Sequence, residues 1–143
     1  MKLEIIIDKC REETVTVVAH EKNRLVHAIE KLIEENDAQL IGYIEREAIR
    51  LSATDIYCFI VETGRVYALT DKGRLSMRCR LYVLEEALPD SFIKINQSCI
   101  VNIKQIERFS GTFSGALQVT LKNGYTDYVS RRNVKKIKER LGL

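Results

Sequence analysis

The sequence predicts a mainly β fold of the α+β class, in which antiparallel strands outnumber a few short helices. From residue 39 onward, short apolar runs recur with Gly, Asn or Asp between them, as is typical of antiparallel hairpins. Three other stretches carry apolar residues at helical spacing. With 143 residues, 45% of them hydrophobic, the chain is long enough to bury a core of its own.

The first third of the chain predicts two strands followed by a helix. Residues 2–7 and 14–19 are apolar runs rich in β-branched side chains, and we expect a strand at each. Apolar residues then recur at helical spacing from Leu25 to Ile33, and Asn23 is a candidate N-cap. We expect this helix to lie on its own sheet, and binding of a partner is the alternative.

Nine short strands are predicted from residue 39 onward. They lie in residues 39–45, 49–51, 55–62, 66–70, 74–78, 91–95, 99–103, 117–121 and 125–130. The clearest turn signal is Asn123-Gly124, and a two-residue loop there would pair Lys122 with Tyr125. Residues 63–65 and 71–73 contain Gly and predict further hairpin loops.

Two helices are predicted within this β region. Their apolar stripes are Leu81, Leu84 and Leu88 in the first helix, and Val134, Ile137 and Leu141 in the second. Pro89 ends the first helix, and Ser130 is a candidate N-cap for the second. The remaining faces of the second helix are cationic.

The net charge of +3 is unevenly distributed along the chain. Residues 1–50 have a net charge of −3, residues 51–121 of +1, and residues 122–143 of +5. A basic C-terminal segment is an electrostatic footprint for a polyanion such as nucleic acid, and a solvated helix face is the alternative.

The sequence contains no recognisable set of catalytic or metal-binding residues. The four cysteines are scattered without a C-x-x-C pair, and only two histidines could complete a metal site. We therefore predict no enzymatic activity, no cofactor and four unpaired thiols. No apolar run is long enough for a signal peptide or a membrane span, so a cytoplasmic location is expected.

A polar and cationic group of residues is the strongest candidate for a binding site. Its members are Asn96, Gln97 and Ser98 between two strand-like runs, Arg65 in a tight turn, and Arg131 and Arg132 at the start of the basic helix. Asn and Gln amides can pair with adenine, Arg can pair with guanine, and Ser suits phosphate. The alternative is a turn whose polar side chains cap their own backbone.

Two segments of the sequence resemble the LytTR family of bacterial DNA-binding domains. The first is FIKINQSCIVNIKQI, with an aromatic residue, a basic residue, a polar turn and a strand ending in Val-Asn. The second is LQVTLKNGYTDYVSRRNVKKIKERL, with Asn-Gly, a strand, Ser-Arg and a basic helix. The resemblance covers about residues 50–143 and implies stacked antiparallel sheets with two short helices. Residues 51–143 would form this domain, and residues 1–50 would form an N-terminal β-α-β extension.

The resemblance implies that loops, and not a recognition helix, enter successive major grooves of double-stranded DNA. The residues expected to contact bases are Arg65, Asn96, Gln97 and Arg132. The residues expected to contact phosphates are Lys94, Ser98, Arg131, Lys135, Lys136 and Lys138. The expected function is therefore sequence-specific transcription regulation.

The N-terminal extension is too short for the phosphoacceptor receiver domain that many family members carry. The chain resembles the stand-alone branch, whose members are often encoded beside a small membrane protein that modulates them. We expect a homodimer on repeated half-sites, with the extension as a candidate dimerisation or regulatory region. The alternative is a protein-interaction module that binds a membrane-embedded regulator and has only non-specific affinity for polyanions.

Overall fold

The structure is a computed structural model that describes residues 1–12, 14–37 and 39–143. Its helices are α1 (Arg24–Asp37), α2 (Leu81–Ala87) and α3 (Arg131–Leu141). Its strands are β1 (Gln39–Ile44), β2 (Glu47–Ser52), β3 (Ile56–Glu62), β4 (Arg65–Thr70), β5 (Gly73–Met77), β6 (Phe92–Asn96), β7 (Cys99–Asn102), β8 (Ile106–Gly111), β9 (Leu117–Leu121) and β10 (Thr126–Val129). The predicted mainly β fold is confirmed, as are the two short helices of the β region.

The strands form two antiparallel sheets. The larger sheet has seven strands in the order β2-β1-β5-β4-β3-β7-β6, and the smaller has the order β10-β9-β8. Four of the six neighbouring pairs in this larger sheet are joined by short hairpins. The other two join strands that are distant along the chain: β1 pairs with β5, and β3 pairs with β7. The β3–β7 pairing places the β6–β7 hairpin beside the β3–β4 hairpin.

Alternating side chains of the larger sheet give the molecule two cores. One face, which includes Phe59 and Ile100, packs against α2 through Leu81 and Leu84. The opposite face packs against the smaller sheet and Ile137 of α3. The central strands are therefore covered on both sides, which fixes their register because a slip by one residue would exchange the two faces.

A buried asparagine joins β7 to the connection between β2 and β3. The Asn102 side chain is 2% exposed, and its Nδ2 donates to the carbonyl of Ile56 at 3.0 Å. Its Oδ1 accepts from the amide of Lys104 at 3.1 Å and caps the 3₁₀ turn that follows β7. The Val-Asn of the sequence motif thus has a structural role.

The β9–β10 hairpin differs from its predicted register by one residue. Val119 lies opposite Asp127, whereas a two-residue Asn123-Gly124 loop would place it opposite Tyr128. The loop has three residues because Gly124, with φ of +88°, adopts the left-handed conformation after a turn closed by its own amide and the carbonyl of Leu121. The prediction was wrong because Asn-Gly suits this longer loop as well.

The two strands predicted at residues 2–7 and 14–19 do not form, although both segments lie in the described part of the chain. Neither segment pairs with a strand among the described residues, and a strand without a hydrogen-bonded neighbour is not a stable element. The predicted β-α-β extension therefore consists of two exposed, irregular runs, followed by α1 and then the β1–β2 hairpin of the larger sheet.

Helix α1 lies where it was predicted along the chain, but it does not pack where it was predicted to. The Oδ1 atom of Asn23 accepts from the amide of Val26 at 3.1 Å, which confirms the predicted N-cap. The helix lies against the 3₁₀ turn Ala53–Asp55 and not on a sheet of its own, because the strands predicted to form that sheet are absent. Leu25 and Leu32 consequently remain exposed.

The remaining hairpins agree closely with prediction, and one strand was missed. Thr63-Gly64 and Asp71-Lys72 form two-residue loops, as expected for the segments 63–65 and 71–73. Strand β8 was not predicted, because its sequence, IERFSG, mixes charged and small residues. The larger sheet begins at residue 39, so the structural unit includes part of the segment that the sequence suggested as an extension.

Candidate nucleic-acid interface

Three loops lie together at one end of the molecule, which we call the loop end. They are the β3–β4 turn (Thr63-Gly64), the β6–β7 turn (Gln97-Ser98) and the first turn of α3, which begins at Arg131. Strand pairing brings the first two together, because Ile60 on β3 lies opposite Cys99 on β7. The carbonyl of Ser98 also accepts from the amide of Val61 at 2.9 Å.

The β6–β7 turn is braced from within by Asn96. The Nδ2 atom of Asn96 donates to the carbonyl of Tyr128 at 2.8 Å and to Oδ1 of Asp127 at 3.2 Å. Its Oδ1 accepts from the amide of Ser98 at 2.8 Å. Both ends of the amide group are thus engaged inside the protein, whereas Gln97 and Ser98 are exposed at the tip.

Helix α3 is tied to the same turn through a single carbonyl group. The carbonyl of Ile95 accepts from the amide of Ser130 at 2.8 Å and from Nδ2 of Asn133 at 3.3 Å. These bonds hold the first turn of the helix beside the β6–β7 turn. Arg131 and Arg132 are both exposed there. The amide groups of a helix N-terminus and two guanidinium groups together favour an anion.

Ser130 is the residue immediately before α3, at the predicted N-cap position. Its side chain makes no capping hydrogen bond, although its carbonyl accepts from the amides of Asn133 and Val134. The Oγ atom is buried and has no hydrogen-bond partner in the structure. The predicted start of the helix is confirmed, but the hydroxyl does not stabilise it in this conformation.

The β3–β4 turn carries Arg65 at its exposed edge. Thr63 and Gly64 both have positive φ, of +49° and +75°, which is the conformation of a tight two-residue hairpin loop. The neighbouring Glu62 is paired with the guanidinium group of Arg74. This ion pair offsets the negative charge next to Arg65, so the turn presents a cation.

The predicted phosphate-contacting lysines differ in their surroundings. Lys94 is half-buried on β6, and its Nζ lies 3.6 Å from Oε2 of Glu85 on α2. Lys135, Lys136 and Lys138 are exposed on α3. Because α3 rises about 1.5 Å per residue, Lys135 and Lys136 lie within about two turns of the loop end, and Lys138 lies slightly farther away.

A small polar cluster lies beneath the loop end. The Oδ1 atom of Asp127 accepts hydrogen bonds from Nδ2 of Asn96 and from the backbone amide of Tyr128. Its Oδ2 atom accepts from the hydroxyl of Tyr125 at 3.1 Å. Burial raises the pKa of Tyr125, and the nearby Cys99 and Asp127 raise it further. The adjacent Cys58 thiol, followed by burial, raises the pKa of Cys99. The phenol and this thiol therefore stay protonated at neutral pH.

Asp127 and Asn133 are positioning residues that sequence reasoning missed. Each supports the β6–β7 turn from a segment more than 30 residues away, Asp127 through Asn96 and Asn133 through the carbonyl of Ile95. The predicted strand at residues 125–130 includes Asp127, but the register expected from Asn123-Gly124 was wrong by one residue and gave no sign of its contact with Asn96.

The described part of the chain contains no cluster of three or more His, Cys, Asp or Glu side chains that could hold a metal ion. The four cysteines, which all lie in that part, are free thiols. Among the described helices, none is both long and apolar enough to cross a membrane.

The comparisons with known proteins agree on this region of the chain. The family profile described as the LytTr DNA-binding domain matches residues 46–142. A solved structure of a LytTr DNA-binding domain from Bacillus cereus superposes with a TM-score of 0.70 at 20% identity. The superposition covers 74% of this chain and 98% of the solved chain, and it shows that the two folds are alike.

Two relatives match along the whole chain, including the N-terminal segment. Uncharacterized HTH-type transcriptional regulators of Staphylococcus aureus are 35% identical in strain MSSA476 and 34% identical in strain COL. Each match spans 100% of this chain and 99% of the relative. The match to the family profile and the relatives that align over nearly their whole length show that the chain belongs to the LytTR family and carries its DNA-binding domain.

Proposed function

We propose that this protein is a transcription regulator that reads double-stranded DNA in the major groove through the loop end. The observation that carries the proposal is the pair of hydrogen bonds to the carbonyl of Ile95, which hold the first turn of α3 beside the β6–β7 turn. An exposed amide at Gln97 and exposed guanidinium groups at Arg131 and Arg132 thus share one surface. The names of the Staphylococcus aureus relatives support the role in transcription.

Base discrimination is assigned to exposed side chains at the tips of the loops. Gln97 can pair bidentately with adenine, while Arg65 and Arg132 can pair with guanine, and each good contact contributes about 1 to 3 kcal/mol of discrimination. The base contact expected at Asn96 stays a prediction. Its amide is already engaged by three hydrogen bonds within the protein, and we assign it to bracing the turn.

Affinity is assigned to sequence-independent contacts with phosphates. Ser98, Arg131, Lys135, Lys136 and Lys138 supply hydrogen-bond donors or positive charge around the loop end, and binding should weaken as salt rises because counterions are released. The phosphate contact expected at Lys94 also stays a prediction, because Glu85 competes for its ammonium group.

We also propose that the functional unit is a homodimer on repeated half-sites, with residues 1–50 contributing to dimerisation or regulation. A recovered target with two copies of one motif at a constant spacing would support this stoichiometry, because half-site spacing reflects the geometry of the dimer. A small membrane protein that modulates the regulator remains a proposal by family resemblance alone.

The test begins with selection of randomised duplexes by the purified protein, which supplies a target. Gel-shift competition is then measured for Gln97→Ala and Lys136→Ala. We expect Gln97→Ala to lose preference at particular base pairs by about 1 to 3 kcal/mol, because a base-edge contact is removed. Lys136→Ala should weaken binding to all sequences alike and reduce the salt slope by about one unit.

Two results would contradict the proposal. If the two variants have the same effect on every duplex, the division between base-reading and phosphate-binding residues is wrong. If selection recovers no preferred sequence while heparin still retains the protein, binding is a general affinity for polyanions. That second result would favour an interaction module as the function.

A further inference from the structure

The N-terminal runs present an apolar surface that the rest of the described chain does not cover. Seven aliphatic side chains lie exposed there: Leu3, Ile5, Ile6, Ile7, Val15, Val17 and Val18. The most exposed of them are Val18 at 91%, Ile7 at 86% and Leu3 at 82%. Both runs and Ile29 of α1 line one open groove of about 840 Å³.

These runs also have the sequence of strands but no strand to pair with. Segments rich in Ile and Val that alternate with polar residues favour extended structure, and their amide and carbonyl groups need partners once apolar surface is buried around them. An exposed apolar strand is a template for pairing with another chain. The two N-terminal runs can therefore offer both apolar side chains and backbone hydrogen-bonding groups to another chain.

This surface contains enough apolar side chains to contribute to a specific protein interface. Both runs together expose seven aliphatic side chains on each chain, and burying them would supply a large part of the ~800 Å² per partner that a standard interface buries. A single membrane helix or a lipid surface would bury the apolar side chains, but it would not supply hydrogen bonds to the backbone.

We propose that residues 2–8 of two copies of this chain pair as antiparallel strands across a two-fold axis. With Ile5 on the axis, Leu3 of each copy lies opposite Ile7 of the other. The same register places Lys2 opposite Asp8, so both ends of the strand pair carry opposite charges. A sequence that is complementary to itself in this way suits the isologous interface of a two-fold dimer.

The apolar and polar side chains separate correctly in this register. Leu3, Ile5 and Ile7 alternate onto one face of the strand, where the same three residues of the second copy lie beside them. Lys2, Glu4 and Asp8 lie on the other face with Ile6. The second run, residues 14–19, is then available to extend the two-stranded ribbon at its edges, which a stable sheet requires.

This inference deepens the proposed function, since it names the surface that joins the two DNA-binding domains. It assigns dimerisation to residues 2–8 and not to the exposed Leu25 and Leu32 of α1. Asp8 holds the amide of Cys10 through Oδ1 at 2.9 Å, and its Oδ2 lies 3.8 Å from Arg11. Its carboxylate is still 42% exposed and can meet Lys2 of the second copy.

Sedimentation velocity of the full chain, without DNA and over a range of concentrations, tests the proposal. Ile5→Lys places two positive charges together on the axis, and we expect self-association to weaken about a hundredfold because juxtaposed like charges are strongly unfavourable. The matched control is Phe113→Lys, which replaces a fully exposed apolar side chain in the β8–β9 loop. The control should associate like the unmodified chain.

Disulfide trapping provides a second, independent measurement. In a Cys10→Ser background, Ile5→Cys should form a covalent dimer when diamide takes one hydrogen from each of the two thiols. Residues opposite each other in antiparallel strands have Cα atoms about 4.5 to 5.5 Å apart, within the range of a disulfide. Leu25→Cys, exposed on α1, is the control and should form no covalent dimer under the same conditions.

Three results would overturn the inference. The unmodified chain could be monomeric at every concentration, which would mean that another kind of molecule covers the apolar runs. Leu25→Lys could abolish dimerisation while Ile5→Lys preserves it, which would place the interface on α1. Alternatively, Leu25→Cys could cross-link as readily as Ile5→Cys.

Half-site binding separates this inference from the proposed function. Ile5→Lys should bind a duplex with one half-site as tightly and as selectively as the unmodified chain, because the loop end is unchanged. If the unmodified chain dimerises through Ile5 but shows no base preference, the dimer stands and the proposed function fails.

Discussion

Two regions of this molecule have similar strand-forming sequences but different structures. Residues 2–7 and 14–19 are rich in Ile and Val, as are the interior strands β3 and β7 of the larger sheet. These two strands are paired on both edges and buried on both faces, whereas the N-terminal runs are exposed and irregular. The comparison shows that β propensity describes what a segment can do once a neighbouring strand is available.

The largest expected difference between the two regions is in the contribution of one isoleucine to stability. Ile100 on β7 is 1% exposed, and Ile100→Ala should lower the free energy of unfolding by about 2 to 5 kcal/mol because it leaves a cavity in a close-packed core. Ile7→Ala should change it by less than about 0.5 kcal/mol at protein concentrations too low for self-association, because the Ile7 side chain is exposed. Urea unfolding measures both values.

Equal losses of stability in the two variants would break the comparison. They would mean that the N-terminal runs are packed within a single chain, and the proposed strand pairing across a two-fold axis would lose its basis.

A smaller effect, at Gly42, tests whether the β1–β2 hairpin is packed as tightly as the interior strands of the larger sheet. A Cβ atom at this position would lie 2.8 Å from Cβ of Leu75 and 2.9 Å from Cδ1 of Leu51. Gly42→Ala should therefore destabilise the protein by about 1 to 3 kcal/mol through overpacking. The same urea measurement applies.

Gly111 on β8 is the matched control for Gly42. An added Cβ there meets nothing within 4 Å, and its backbone does not have a positive φ. Gly111→Ala should change stability by no more than about 0.5 kcal/mol. A neutral Gly42→Ala would indicate that residues 39–52 are loosely attached and belong with the N-terminal region.

The smallest expected effect is a change in the free energy of unfolding at alkaline pH, and it depends on Tyr125. Burial raises the pKa of Tyr125 above its ordinary value of 10.0, so the folded state holds this proton more tightly than the unfolded state does. The resulting stability is fully present below about pH 10 and is lost as pH rises through the folded-state pKa. Urea midpoints in alkaline buffers should fall less steeply for Tyr125→Phe than for the unmodified chain.

If the urea midpoints of the two proteins fall equally steeply with pH, the titration of Tyr125 does not contribute to the stability of the fold. The constant offset between them, which arises from the lost hydrogen bond to Asp127, does not affect this comparison of slopes.

The local parts of the fold could be predicted from the sequence because each depends on neighbouring residues. The Thr63-Gly64 loop, the N-cap at Asn23 and the stop at Pro89 all follow from backbone preferences within a few positions. The β9–β10 register was missed because Asn-Gly is compatible with loops of two and of three residues. A local signal that permits both lengths cannot choose between them.

The exposure of Gln97 and Arg132 at one end of the molecule could be predicted from the sequence, but the contacts beneath them could not. Gln97 and Arg132 lie on the same exposed end of the molecule, as the sequence suggested. The sequence could not show that Asn96 faces Asp127, because that contact joins segments 31 positions apart and depends on how the two sheets stack. Residue type suggests the chemistry of a side chain, but its partners decide whether that chemistry is available.

The engaged amide of Asn96 has a consequence for retargeting. The β6–β7 turn is stabilised by a residue beneath its tip, so substitutions at the exposed Gln97 and Ser98 should leave the backbone of the turn unchanged. Under the proposed function, a combinatorial library at those two positions and Arg132 would sample new operator preferences on an unchanged scaffold. The protein thereby offers a compact starting point for engineered gene switches.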